Sequence, residues 1–401
     1  MALIKDLIDA GGAQDMIAVA ESPNLVMHLA PATNGEIAVI NLKSALQASW
    51  NRFWRDPQRP GVAELIVEQE QLAAQYLGDL GAFDRLEILV NRFIRTDSES
   101  SRIALVQAQF ASMTHRFAEA QAHAAKAELL GTPSETLDRL SLSIEQACGT
   151  RLESVLEKRR RMSAESGRLE DLVPLGSLLA DLGEFAEADR TYGRALQVYQ
   201  DVSPFAFAWV CFQLGALWGE LVPEPELNRA AQWYSKAIDY LPCYVKARVH
   251  LAEIHFSCGR YGEAEALLRP VIDSSDPEVA WRLADVRNAT GRCADAEAQL
   301  QAARAGFEAL LDKHLLAFAD HGAEFYAGSG GNSIRAYELA RVNLANRPTL
   351  RAFAQAYATA IVADEAHAAT EILGAARSRW GATTAFQLSS LSMLQLGGVI
   401  T

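Results

Sequence analysis

The chain has 401 residues, of which 50% are hydrophobic, 8% aromatic and 22% charged, and this composition excludes a wholly disordered protein. The 50 acidic and 37 basic residues give a formal net charge of −13, which argues against binding to nucleic acid or to an anionic membrane. The 5 cysteines are scattered and form no C-x-x-C pair, so we expect a reducing, cytoplasmic environment rather than a disulfide framework or a structural zinc site.

Residues 1–66 are predicted to form an N-terminal cap without repeats. The first residues do not form a secretory signal, because Lys5, Asp6, Asp9 and Asp15 interrupt every apolar run. Nowhere in the chain do about 18 apolar residues follow one another, so we expect no membrane-spanning helix.

The second half of this cap has two interpretations. Residues 24–42 contain two apolar runs around Asn34-Gly35, a dipeptide that favours a tight type I′ turn. They form either a short β-hairpin or a helical cap with a loop. Residues 44–54 predict a helix with Trp50 and Trp54 on one face, which ends at Asp56-Pro57.

An internal repeat follows the cap. The segments GAFDRLEILVNRF, HRFAEAQAHAAKA, GTRLESVLEKRRR and GEFAEADRTYGRA begin at residues 81, 115, 149 and 183, so each starts 34 residues after the one before. Similar segments begin at residues 227, 259, 291, 333 and 365. A period of this length predicts about nine helix hairpins that stack on one another, because each hairpin leaves an apolar face for the next to cover.

The residues within the period resemble those of the tetratricopeptide repeat family. The matching residues of the fourth and fifth copies are Leu172, Leu175, Gly176, Leu179, Gly183, Phe185, Ala188, Tyr192, Ala195, Leu214, Gly215, Trp218, Ala230, Tyr234, Ala237 and Pro242. Small residues let paired helices approach, a glycine ends the first helix with a left-handed turn, and a proline stops the second. His115 replaces that turn glycine in the second copy. The resemblance implies an all-α, right-handed α-solenoid over residues 67–383.

The spacing predicts a division of this array. Longer connections at residues 199–207 and 220–227, marked by Pro204, Pro223 and Pro225, suggest two blocks at 67–202 and 203–383. Residues 384–401 predict a C-terminal capping helix. This helix is apolar enough to pack on a partner subunit, so a homo-oligomer through the apolar termini is one hypothesis.

Few residues suggest chemistry. The glycine-rich segment 327–333 (AGSGGNS) is interpreted as a turn between helices in preference to a phosphate loop, an alternative that Arg335 keeps open. His314 and His321, with Asp320 and Glu324, are interpreted as a polar helix face in preference to a zinc site. The basic run 158–161 is interpreted as an exposed helix in preference to a contact with nucleic acid or an acidic partner, and its Arg161 takes a place where the repeat has a small residue. We therefore expect no metal, cofactor or catalytic residue.

Members of the resembling family bind ligands on the concave face that their first helices form. This implies a groove with polar and basic residues in its N-terminal half and aromatic anchors in its C-terminal half, which suits a peptide. The predicted peptide-binding residues are Arg102, Arg139, Trp209, Phe212, Lys246, Glu253, Phe256, Trp281, Asp285, Asn288, Phe318, His321 and Phe325. The lysine, asparagine and arginine clamp with which some members hold chaperone termini is not matched.

The sequence thus favours a non-enzymatic, cytoplasmic scaffold that binds a protein or peptide in its concave groove. The main alternative is a helical-repeat enzyme, or an accessory subunit of one, that uses residues 314–335. A self-assembling structural subunit is a third hypothesis. A fold alone is weak evidence for a particular role.

Overall fold

The chain folds into helices joined by short turns. The computed structural model describes residues 31–96 and 100–394, and no strand occurs among them. The helices are α1 (Gly35–Arg55), α2 (Val62–Leu77), α3 (Gly81–Ile94), α4 (Ser101–Met113), α5 (Phe117–Leu129), α6 (Ser134–Ala147), α7 (Leu152–Ser166), α8 (Leu169–Asp181), α9 (Phe185–Val198), α10 (Pro204–Ala216), α11 (Leu227–Tyr240), α12 (Val245–Ser257), α13 (Tyr261–Leu268), α14 (Pro277–Ala289), α15 (Cys293–Ala327), α16 (Ser333–Asn346), α17 (Leu350–Val362), α18 (Ala366–Trp380), α19 (Thr384–Leu388) and α20 (Ser390–Met393). Within this part of the chain, no helix is both long and apolar enough to cross a bilayer.

Over the described ranges, consecutive helices pack in pairs and form nine hairpins, which confirms the predicted all-α repeat solenoid. The first helices of the hairpins are α2, α4, α6, α8, α10, α12, α14, the second half of α15, and α17. Helix α15 serves two hairpins because His314 has non-helical backbone angles (φ −133°, ψ 50°) that kink it. Its first half closes the seventh hairpin, and its second half opens the eighth.

Small residues on the first helix receive a tyrosine from the second. A Cβ atom added to Gly176 would lie 2.7 Å from the ring of Tyr192, and one added to Gly215 would lie 2.5 Å from the ring of Tyr234. Both rings are buried. The repeated glycine and tyrosine of the sequence are therefore the two sides of one close contact between helices.

The turn inside each hairpin needs a left-handed residue. Gly183 provides it in the fourth hairpin with φ +87°. His115 occupies the same place in the second hairpin with φ +55°, an angle that favours glycine. The Nδ1 atom of His115 lies 3.2 Å from the carbonyl oxygen of Leu316. Burial lowers the pKa of this imidazole to about 4.

Of the two alternatives for residues 24–42, the described residues show the helical cap, since α1 begins at Gly35. Asn34 ends the loop as a helix cap, and its side chain accepts hydrogen bonds from the backbone N–H groups of Glu36 (3.0 Å) and Ile37 (3.1 Å). This capping competes with a tight turn at the same dipeptide. Residues 24–30 lie outside the described part. The helix predicted at residues 44–54 is confirmed.

Two expectations need correction. The terminal helix predicted at residues 384–400 is interrupted at Ser389, whose ψ of 155° is extended, and residues 395–401 lie outside the described part. In the basic run, Arg159 is 6% exposed and burial lowers its pKa to about 10, so the run is not a wholly exposed helix. Arg161 is exposed, because the buried side of α7 is formed by Val155, Arg159 and Ser163.

A seam joins two successive turns of the solenoid. The turn of the first hairpin lies against the connection before the seventh, and the turns of the second and third hairpins lie against the ends of the eighth and ninth. The Leu80 N–H donates to Ser275 Oγ (2.7 Å), and the Asn346 side chain donates to the His115 carbonyl oxygen (3.0 Å). Similarly, Arg379 donates to the carbonyl oxygen of Gly149 at 2.8 Å. Six hairpins therefore complete one turn, and the first helices of the fourth to ninth hairpins surround a common interior.

Candidate functional site

Ion pairs and hydrogen bonds connect the first helices of neighbouring hairpins along the concave face. We call this series the inter-helix ladder. Its members are Glu64–Arg102 (2.6 Å), Arg139–Asp171 (3.0 Å), Gln146–Asp181 (3.0 Å), Glu220–His250 (2.6 Å), Glu253–Arg282, Glu278–His321 (2.5 Å) and Glu324–Arg351 (3.7 Å).

One helix serves both of its neighbours from successive turns. On α12, His250 contacts Glu220 of the hairpin before, and Glu253 contacts Arg282 of the hairpin after. Residues three apart lie on one helical face, so both side chains point to the concave surface. The ladder therefore fixes the spacing of the first helices from the interior side.

In the later hairpins these groups form a continuous charged network, which we call the interior cluster. Seven of its members are carboxylates and five are cationic. The carboxylates are Asp181, Glu220, Glu253, Glu278, Asp285, Asp320 and Glu324, and the cations are His250, Arg282, His321, Arg347 and Arg351. The interior cluster thus carries more negative than positive charge.

Both histidines of the cluster count as cations. Burial alone lowers the pKa of His250, but the Glu220 carboxylate beside it raises that pKa to about 9. Burial also lowers the pKa of His321, whereas Asp320 and Glu278 raise it to about 9. Because both pKa values lie above neutral pH, each imidazole is protonated there.

Arg351 is held more loosely than the other cations. Its guanidinium lies 3.7 Å from Glu324 and 3.9 Å from Glu220, and 64% of the side chain is exposed. By contrast, Arg347 lies 2.5 Å from Asp320 and is 21% exposed. Arg351 belongs to the ninth hairpin and Glu220 to the fifth, so this side chain reaches across the interior. Exposed ion pairs of such length contribute little stability.

The structure brings several predicted binding residues into this network. Glu253, Asp285 and His321 belong to the interior cluster, and Arg102 and Arg139 belong to the ladder. Lys246 acts electrostatically on His321 and on Asp276, the residue that caps α14. The charged residues of the predicted set therefore lie on the concave face.

The predicted aromatic anchors do not form a strip there. Phe325 is fully buried and Trp281 is 4% exposed, and both rings pack on Phe307 inside the seventh and eighth hairpins. Phe318 packs edge-on against Phe83 at the seam. Phe325 and Trp281 thus face the helix that completes their hairpin, whereas Phe318 faces the first hairpin across the seam.

The remaining predicted residues are separate from one another. Phe212 is half-buried and packs against Tyr234, Tyr244 and His250, so it forms a wall behind the cluster. Three other residues lie apart from it: Trp209, in the core of the fourth and fifth hairpins; Phe256, against Tyr261; and Asn288, exposed near the end of α14.

Residues 314–335 do not converge on one site. His314 Nε2 lies 3.6 Å from Asp84 at the seam, whereas His321 pairs with Glu278. The glycine-rich segment forms the turn between α15 and α16, as predicted, and Ser329 within it donates a hydrogen bond to Asp285 (2.5 Å). Within residues 31–96 and 100–394, no group of three or more His, Cys, Asp or Glu side chains is arranged to hold a metal ion.

Nine of the twelve cluster members are absent from the predicted binding residues, and Asp320 and Glu324 among them were predicted only as part of a polar helix face. The other seven are Asp181, Glu220, His250, Glu278, Arg282, Arg347 and Arg351. One signal was available for some of them. Opposite charges recur about one repeat apart, as in Glu220 with His250 and Glu253 with Arg282. Counting positions along the repeat predicted that Trp281 lies on the concave face, but the side chain that lies there is that of its neighbour, Arg282.

Comparison with known proteins identifies the repeat. Residues 246–275, which cover α12, α13 and the connection after them, match the model of the tetratricopeptide repeat. This segment of the chain is a tetratricopeptide repeat. No curated protein is significantly similar to it. Tetratricopeptide repeats generally mediate protein–protein interaction and are generally non-enzymatic, so the chain has the fold of a protein-binding scaffold.

Several solved structures are similar to this chain. A chain of the APC/C hetero-tetramer Cut9–Hcn1 is 15% identical with a TM-score of 0.43, and the match covers 82% of this chain and 62% of that one. Yeast Tom70 is 11% identical with a TM-score of 0.33, covering 89% and 95%. The C-terminal part of a TPR-repeat protein from Cytophaga hutchinsonii is 13% identical with a TM-score of 0.30, covering 73% and 97%. The chain thus spans less than two thirds of the first of these proteins.

Proposed function

We propose that this chain is a protein-interaction scaffold that binds a cationic segment of a partner protein at its interior cluster. The observation that carries the proposal is the excess of carboxylates in that cluster, together with the loose attachment of Arg351. The net charge of −13 acts in the same direction, because it attracts cationic partners over a distance.

Binding would proceed by exchange of charges. A lysine or arginine of the partner takes the place of the Arg351 guanidinium near Glu324 and Glu220. Arg351 is long and 64% exposed, so its charged end can turn toward water without loss of packing. The tighter pairs of the ladder, such as Glu278 with His321 at 2.5 Å, keep the first helices in place during the exchange.

A selection from a random peptide library tests the proposal. The immobilised wild-type protein should enrich peptides that are rich in lysine and arginine, and Glu324→Gln should bind these peptides less tightly by about fivefold. Glu338→Gln is the matched control, because Glu338 lies on the second helix α16 and its side chain is 60% exposed. If the enriched peptides are acidic, or bind both variants equally well, the interior cluster is not the binding site.

A further inference from the structure

The seam is incompletely filled where the second hairpin meets the eighth. At the first hairpin, Ser275 of the loop before α14 donates its hydroxyl to the Gly78 carbonyl oxygen (2.9 Å). At the third hairpin, a Cβ atom added to Gly149 would lie 3.2 Å from the carbonyl oxygen of Pro348, which belongs to the loop before α17. Helix α15 instead enters the eighth hairpin without a loop, through the kink at His314 alone. The second hairpin thus meets a kinked helix where the first and third hairpins meet a loop.

A cavity of about 490 Å³ lies at this joint, between α3, α4, the N-terminal half of α5 and the kink of α15. We call it the seam cavity. Its apolar wall consists of Val90, Ile94, Phe110 and Leu315. Binding sites for small molecules have volumes of about 300 to 1,000 Å³. The seam cavity is therefore large enough to hold a small organic molecule.

The kink also leaves a buried polar group unsatisfied. The His314 side chain lines the seam cavity and is 9% exposed. Its Nε2 atom has no hydrogen-bond partner among the described residues, since the nearest Asp84 oxygen lies 3.6 Å away. Burial lowers the pKa of His314, so the imidazole is uncharged at neutral pH. The joint therefore lacks polar as well as apolar contacts.

One carboxylate at the seam cavity is left for a ligand. Arg116 pairs with Glu119, and Lys313 pairs with Asp84, each at 2.7 Å. Glu87 also lines the cavity and, among the described residues, forms no ion pair; its charge acts on Lys313, but Asp84 already holds that amine. A cavity with an apolar wall and one such carboxylate suits a cation that carries an apolar body.

We propose that the seam cavity binds a small organic amine with an apolar body. The ammonium group lies at Glu87, and the apolar body lies against Ile94, Phe110 and Leu315. The ligand takes the place that a loop has at the neighbouring joints, so it fastens the second hairpin to the eighth. This inference concerns a different site from the interior cluster and does not depend on the proposed function.

A titration of the full chain with 2-phenylethylamine, followed by methyl NMR, tests this proposal. The methyl signals of Ile94 and Leu315 should shift, whereas that of Ile334, which is 66% exposed on α16, should not. Glu87→Gln should weaken the affinity about fivefold. The matched control is Glu128→Gln, because Glu128 is also exposed and lies on α5 outside the cavity. The anion 3-phenylpropanoate should bind about tenfold less tightly than the amine.

Any of four results would overturn the proposal. The amine could leave the signals of Ile94 and Leu315 unchanged, or the anion could bind as tightly as the amine. Glu87→Gln and Glu128→Gln could have equal affinities for the amine. A loss of affinity in Glu324→Gln as large as that in Glu87→Gln would place the amine in the interior cluster instead. Circular dichroism checks that each variant is folded before its affinity is compared.

Discussion

The contact between Gly215 and Tyr234 gives the sharpest prediction about stability. In Gly215→Ala, the new methyl group would lie 2.5, 2.6 and 2.8 Å from three ring carbons of Tyr234. That ring is 1% exposed, and its hydroxyl donates to Glu220 at 2.9 Å, so it has little freedom to move away. Overpacking of this kind lowers the free energy of unfolding by about 3 kcal/mol, and the better helix propensity of alanine raises it by about 1 kcal/mol. We expect a net loss of about 2 kcal/mol.

Gly193→Ala is the matched control. Gly193 also lies inside a helix, α9, but a Cβ atom there would meet no atom within 4 Å. This variant should therefore gain up to about 1 kcal/mol from helix propensity alone. Urea unfolding followed by circular dichroism measures both, and the two midpoints should move in opposite directions. A Gly215→Ala midpoint at or above that of the wild type would refute the close-packing argument.

Three other predictions concern the cluster and the seam. The raised pKa of His250 stabilises the folded chain fully below about pH 6.5, and this stabilisation is lost as the pH rises through about 9. In urea unfolding, the stability advantage of the wild type over His250→Gln should therefore disappear between about pH 6 and pH 10. An advantage that is constant with pH would contradict the pairing of His250 with Glu220. Arg351→Ala should raise the affinity for a lysine-rich peptide about fivefold in fluorescence anisotropy, because it removes a competitor for the carboxylates, and lower affinity would contradict the exchange. Asn346→Ala removes the hydrogen bond to the His115 carbonyl oxygen and should lower the free energy of unfolding by about 1 kcal/mol, which a lower urea midpoint would show. An unchanged midpoint would mean that this contact of the seam adds no stability.

The repeat predicted most of the fold because its signals are local. The spacing of 34 residues fixed the number of hairpins, and residues such as Gly183 and Tyr192 marked the turn and the close contact within one hairpin. Around Asn34 the sequence left a β-hairpin and a helical cap open, because this residue favours a tight turn and also caps a helix.

The candidate site was harder to predict because it depends on the curvature of the whole array. Small rotations between hairpins add up along the array, and they bring Arg351 of the ninth hairpin close to Glu220 of the fifth. An error of one position on a helix also changes the face, as with Trp281 and Arg282. The predicted Glu253 and Asp285 lie on the concave face, whereas the predicted Phe325 is wholly buried in a hairpin core.

Hydrogen exchange with and without a bound lysine-rich peptide tests the central claim most directly. The account predicts that the peptide slows amide exchange in the elements that carry the interior cluster, which are the first helices α8, α12, α14, the second half of α15, and α17, and the π-helical turn Leu217–Leu221 that follows α10. Second helices such as α11 and α16 should change little. Protection confined to the second helices or to the seam, with none in the first helices, would contradict binding at the interior cluster.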